Sequence, residues 1–239
     1  MWPCSGMLSL AAIGLLASSA PVMGQWPAGL RIEDTPHNLI VPAVATDPDM
    51  NGLVEDYGSV CVYCHAPHGG DTDVPLWNRF TPSGPFRMFE AQIMIIDPQP
   101  TDNSLSCLSC HDGTIGLDDI RDFPATYSGP GPAATSIEEC EDCHRDGDVI
   151  DWEGVWLDTD LRKHHPISFI YDPSRDPDFR SIAEVEAAGL VLYDGKVQCM
   201  TCHEPHTQQF RPFLRLADNQ SLCLTCHRSN PSESTAHAW

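Results

Sequence analysis

The sequence predicts a mostly irregular chain with short α-helices and little β structure, built around something other than a conventional polypeptide core. Three observations predict it. The pattern Cys-x-x-Cys-His occurs five times in 239 residues. The chain's 21 prolines and 17 glycines, in turns such as Asp97-Pro98-Gln99-Pro100 and Gly129-Pro130-Gly131-Pro132, stop most segments before a long helix could develop. Strand-like alternation of apolar and polar residues is hardly signalled.

The five motifs are Cys61/Cys64/His65, Cys107/Cys110/His111, Cys140/Cys143/His144, Cys199/Cys202/His203 and Cys223/Cys226/His227. Two thiols two residues apart can each add to one vinyl group of a haem, and the imidazole that follows then ligates the iron as proximal ligand. Cys-x-x-Cys pairs also build zinc sites and redox dithiols. Five pairs, each followed at once by one of only 11 histidines, favour haem. The expected cofactors are therefore five covalently bound haem c groups, with the porphyrins forming much of the core of a multihaem cytochrome c architecture.

Along the chain, residues 1–24 carry no acidic or basic side chain, and Met7 to Ala17 form an apolar run too short to cross a bilayer comfortably. With Val22 and Gly24 small enough for a cleavage site, 1–24 reads as a signal peptide and 25–239 as a single pentahaem domain. No later segment is apolar enough to span a membrane. Cys4 leaves with the signal, and the other ten cysteines all belong to motifs, so none is left for disulfides.

Local helix signals are few. Ser181-Ile182-Ala183-Glu184 has capping-box spacing and Gly189 follows as a stop, which predicts a helix of about two turns. Ser136-Ile137-Glu138-Glu139 has the same spacing just before Cys140. Short helical turns are expected near Asp102 and Asp218. Leu190 to Tyr193, Asp194-Gly195 and Lys196 to Gln198 suggest one small hairpin.

Five proximal histidines leave His37, His68, His164, His165, His206 and His237. A second axial histidine closes an iron for electron transfer, whereas a missing one leaves it open for chemistry. The supply suffices to close all five, with His37, His68, His164, His165 and His206 as the distal candidates. The role of His237 stays open. Met88, Met94 and Met200 are available as ligands but not needed. His68 and His206 each lie three residues after a proximal histidine, and are better placed to serve another haem than their own. His164 and His165 precede Pro166, which favours an extended backbone whose adjacent side chains point oppositely, so that one segment could serve two haems.

Other features carry less. Asp47-Pro48-Asp49-Met50-Asn51-Gly52, with Glu55 after it, opens like an EF-hand loop, but Gly58 stands where the closing Glu belongs. The fragment reads as an acidic turn and leaves calcium unsupported. Arg79, Arg121, Arg162 and Arg211 could pair with haem propionates, and Tyr63 and Trp77 could pack on porphyrin. The net charge of −21 argues against nucleic acid as a partner.

Several stretches resemble a family of multihaem cytochromes c with paired haem motifs. They are Cys61-Val62-Tyr63-Cys64-His65-Ala66-Pro67-His68-Gly69, Pro75-Leu76-Trp77-Asn78-Arg79, Cys107 to Thr114, His165-Pro166-Ile167-Ser168, Cys199 to His206 and Cys223 to His227. The likeness is to the tetrahaem members of the extracellular cytochrome filaments, often called cytochrome nanowires. This chain departs from them by the motif at Cys140, Cys143 and His144 and by the doubled His164-His165, an added haem matched by an added ligand. The resemblance implies a homopolymer in which His68 ligates a haem of the adjacent subunit.

The expected function is therefore a secreted, filament-forming cytochrome that passes electrons from haem to haem to redox partners or an external acceptor. It is not expected to be an enzyme. A monomeric periplasmic pentahaem shuttle is the alternative. A multihaem nitrite- or hydroxylamine-type oxidoreductase would need one open iron, and the chain has no Cys-x-x-Cys-Lys motif.

Overall fold

A computed structural model of the protein describes residues 31–40, 54–69, 76–132, 156–210 and 212–229. Several sequence expectations fall outside the described residues. These are the signal peptide, the third haem motif with Cys140, Cys143 and His144, the helix start at Ser136, the acidic turn Asp47–Gly52, Arg211 and His237. Within the described residues the chain is mostly irregular, with short helices and one two-stranded sheet. No described helix is long and apolar enough to cross a membrane.

Four α-helices are described: α1 (Asp102–His111), α2 (Ile182–Ala187), α3 (Cys199–Cys202) and α4 (Asn219–Cys226). Three of them carry a Cys-x-x-Cys pair, and the first motif sits on a 3-10 turn, Val60–Tyr63. A single helical turn suits the motif because residues three apart share one helix face. The turn is closed in the same way in three motifs. The histidine N–H donates to the carbonyl of the first cysteine, at 2.7 Å in His65, 3.0 Å in His203 and 2.8 Å in His227.

Between the motifs, local chemistry shapes the chain. Ser181 caps α2 with a reciprocal capping box to Glu184, and Gly189, at φ +101°, supplies the left-handed residue that ends it. Asp218 caps α4 by accepting from Ser221 N at 2.7 Å. The expected hairpin needs correction. Asp194 and Gly195 do make a tight turn with positive φ at both positions, and Tyr193 bridges to Lys196. Strand β2 (Lys196–Val197), however, pairs antiparallel with β1 (Phe169–Ile170), not with a strand over 190–193. Phe169 and Val197 are both buried in one apolar cluster, and that burial selects the partner.

Among the described residues the buried apolar side chains fall into three small clusters. Phe169, Tyr171, Val185, Leu190 and Val197 form one, and Leu222 and Cys226 pack against it. Tyr57, Val62, Tyr63 and Ile120 form the second around the first motif. Phe86, Leu108 and Leu161 form the third beside α1.

Candidate haem-binding site

The four described motifs lie next to one another in a chain. Cys64 has Cys110 as its strongest thiol neighbour, Cys107 hydrogen-bonds with Cys199, and Cys202 has Cys226 as its strongest thiol neighbour. Each first-named cysteine sits in one motif and its neighbour in another, so the order in space is first, second, fourth, fifth. Cys140, Cys143 and His144 of the third motif lie outside the described residues and have no place in this order. Burial pushes the Cys64 and Cys202 thiols up to about 12 and Cys226 up to about 11. Among the described residues no group of three His, Cys, Asp or Glu could hold a metal ion, and the eight described cysteines are all free.

The contact between the second and fourth motifs has a buried hub. The Gln198 side chain accepts from Ser104 Oγ of α1 at 2.5 Å and from Ser168 Oγ at 3.0 Å, and donates to Thr101 Oγ1 at 3.1 Å. Ser104 Oγ in turn accepts from Cys199 N at 3.1 Å. The residue before the fourth motif thus fixes that motif against the helix carrying the second.

A second device recurs at every described motif. The carbonyl of a residue between the two cysteines accepts a hydrogen bond from a side chain elsewhere in the chain. Asn78 Nδ2 donates to Val62 O at 2.8 Å, Arg79 to Ser109 O at 3.0 Å, Arg215 to Met200 O at 2.8 Å and Arg180 to Leu224 O at 2.7 Å. Sequence reasoning missed Asn78, Arg180 and Arg215, because such long-range bonds leave no local pattern. Arg79, a propionate candidate by sequence, is instead fully buried and also donates to Leu117 O and Gly116 O, both at 2.6 Å, and to Ser109 Oγ at 3.2 Å. Arg162, another propionate candidate, donates to Asp160 at 2.6 and 2.7 Å.

The imidazoles are arranged in pairs. His65 and His206 have ring centroids 6.1 Å apart with planes at 12°, and His37 and His111 lie 6.2 Å apart at 66°. Metal–nitrogen bonds of ~2 Å and a ring radius of ~1.1 Å separate two imidazoles on opposite sides of one iron by ~6.2 Å. Both pairs match. Their Nδ1 atoms are engaged elsewhere, His37 with Pro205 O at 3.1 Å and His206 with Glu204 at 2.7 Å, leaving Nε2 for a ligand. Burial, with the facing His111 second, lowers His37 to about 4, which keeps it in the neutral form that binds metal. Burial also lowers His65, whereas the Glu204 carboxylate raises His206.

The other described histidines have different surroundings. His203 Nδ1 bonds Pro212 O and His227 Nδ1 bonds Asp178 Oδ2, each at 3.0 Å. His164 ends a 3-10 turn in extended conformation, at φ −107° and ψ 169°, and His165 Nδ1 lies 2.8 Å from Pro166 O. His68 is exposed in the loop after the first motif. Trp77 stands edge-on to His65 at 5.9 Å, and its Nε1 is a buried donor with no acceptor among the described residues. Tyr63 packs in the protein cluster, with its hydroxyl on Glu55 O at 2.6 Å.

These donors fit haem c: paired thiols on one helical turn, a proximal imidazole after each pair, and imidazoles facing each other at the spacing of one iron. Residues 193–231, which carry the fourth and fifth motifs, match the family model for the doubled CXXCH motif. The motifs and the match imply covalent haem c binding and suggest a multihaem cytochrome c electron carrier. Comparison with curated proteins finds no match.

Proposed function

We propose that this chain is a secreted pentahaem cytochrome whose copies join into a filament and carry electrons from haem to haem to an external acceptor, without a catalytic site. The observation that carries the reading is the contrast among its spare histidines. His206 and His37 each face a proximal histidine of the same chain, whereas His68 stands exposed beside the first motif. An imidazole so placed is available to a haem of the next subunit. Side-by-side motifs in the order first, second, fourth, fifth support a continuous path. Cys140 and Cys143 would anchor the remaining haem, with His144 and either His164 or His165 as its axial ligands.

In this reading the haems supply one-electron chemistry, and the protein holds them. The cysteines would anchor them, facing imidazoles such as His65 and His206 would ligate the irons, and the carbonyl clamps fix the turns that carry the anchors. Mass spectrometry should find five attached haems, and electron microscopy of secreted material should show filaments. His68→Ala should give soluble, haem-loaded subunits with one five-coordinate iron. Normal filaments from that variant would exclude the inter-subunit bond. Haem-loaded monomers from the wild type would favour the periplasmic shuttle, and a stoichiometric high-spin signal from the wild type would favour an oxidoreductase.

A further inference from the structure

His227 differs from the neighbouring proximal histidines in what its outer nitrogen touches. His203 Nδ1 donates to a neutral carbonyl, Pro212 O, at 3.0 Å, and His65 bonds the Leu76 backbone. His227 Nδ1 instead meets a carboxylate, Asp178 Oδ2, at 3.0 Å. That carboxylate is held in place. Its other oxygen accepts from Ser229 N at 2.9 Å and Ser229 Oγ at 2.6 Å, while Asp178 N donates to Asp176 Oδ1 at 2.9 Å. The Phe179 ring stands against the imidazole at 5.2 Å.

A carboxylate on the outer nitrogen of an iron-bound imidazole increases the ligand's basicity and favours ferric over ferrous iron. We propose that Asp178, acting through His227, makes the haem c on Cys223/Cys226 a stronger reductant than the haem c on Cys199/Cys202, so that electrons pass from the fifth motif to the fourth. The proposal rests on the haem-binding reading. In the transfer, one electron leaves ferrous iron at the fifth motif and reduces ferric iron at the fourth, with no bond or proton exchanged. Asp178 is a positioning residue, since it acts only through His227.

The surrounding charges do not cancel this. Arg180 lies 3.8 Å from Glu184, and Arg228 is exposed with its Nε on Phe179 O at 3.2 Å. The other carboxylate at a ligand candidate, Glu204 on His206, is also bound by Arg215 at 3.1 Å, which offsets its charge. Apart from the imidazole, the groups that donate to the Asp178 carboxylate, Ser229 N and Oγ, are uncharged.

The test is a redox titration of the haem-loaded protein, followed by optical and paramagnetic proton NMR signals. In the wild type the fifth-motif haem should be the first of the two to oxidise. Asp178→Asn should raise one couple by at least tenfold in its reduction equilibrium, or 59 mV for one electron, with haem mass and low-spin spectra unchanged. Asp178→Glu should restore part of the shift. Unchanged couples in a fully loaded Asp178→Asn protein, or earlier oxidation of the fourth-motif haem in the wild type, would overturn the proposal while leaving haem binding intact. If Asp178→Asn does not load haem, the wild-type order decides alone. A wild-type peptide bearing Cys223 and Cys226 without haem mass would overturn both this proposal and the reading beneath it.

Discussion

The imidazoles of His65 and His206 lie nearly parallel, 12° apart, with centroids at 6.1 Å, although they come from distant parts of the described chain. The first motif and the loop after the fourth are thereby joined at one site. Removing either ring should be read at a single iron. His206→Ala is expected to convert one haem to a five-coordinate, high-spin state, and His37→Ala to do the same at a different haem. Added imidazole should restore low-spin character in both. Electron paramagnetic resonance checks this, and a fully low-spin His206→Ala protein would break the pairing.

Arg79 has no solvent exposure and donates to three backbone carbonyls and a hydroxyl. Arg79→Met keeps most of the volume but strands those acceptors, which should cost on the order of 3–5 kcal/mol in denaturant unfolding. Arg79→Lys should recover only part, because an ammonium cannot reproduce the planar fork. A loss below about 1 kcal/mol for the Met variant would show that water replaces the bonds.

Gln198 joins Ser104, Ser168 and Thr101 in one buried site. Gln198→Leu should destabilise by about 2–3 kcal/mol and loosen the fourth motif from α1. Hydrogen exchange would report this as lost protection in both α1 and α3. Loss confined to α3 would contradict the coupling.

Asp218 is held below the usual carboxylate range by its bonds to Ser221 N and Oγ. The folded protein therefore binds this proton less readily than the unfolded chain. The cap's contribution is fully present above the ordinary carboxylate pKa and is lost as pH falls through the lowered folded value. Acidification from about pH 5 to pH 2 should reduce amide protection in α4, and Asp218→Asn, which caps without titrating, should blunt that change. Equal acid sensitivity in the two proteins would assign the effect to another group.

What could be read from the sequence was local. The capping box at Ser181 and Glu184 and the helices that begin near Asp102 and Asp218 each follow from residues within one or two turns. Five proximal histidines leave few others, which makes His37 and His206 candidates, but which imidazole each one faces was not legible. The partner of β2 was not legible, since Phe169 is selected by burial and not by turn chemistry. Neither were Asn78, Arg180, Arg215 and Asp178, whose hydrogen bonds reach segments distant in the chain. Among the described residues, whose apolar contacts fall into three small clusters, those long-range polar bonds carry information that apolar periodicity usually supplies.

The four carbonyl clamps also bear on timing. Electron tunnelling weakens exponentially with the gap between donor and acceptor, so a path is as fast as its widest momentary opening allows. Bracing each anchoring turn against a remote segment would narrow the spread of those gaps at room temperature. On the proposed haem-to-haem path, in a chain this rich in loops, such bracing would steady the rate of successive transfers against thermal breathing.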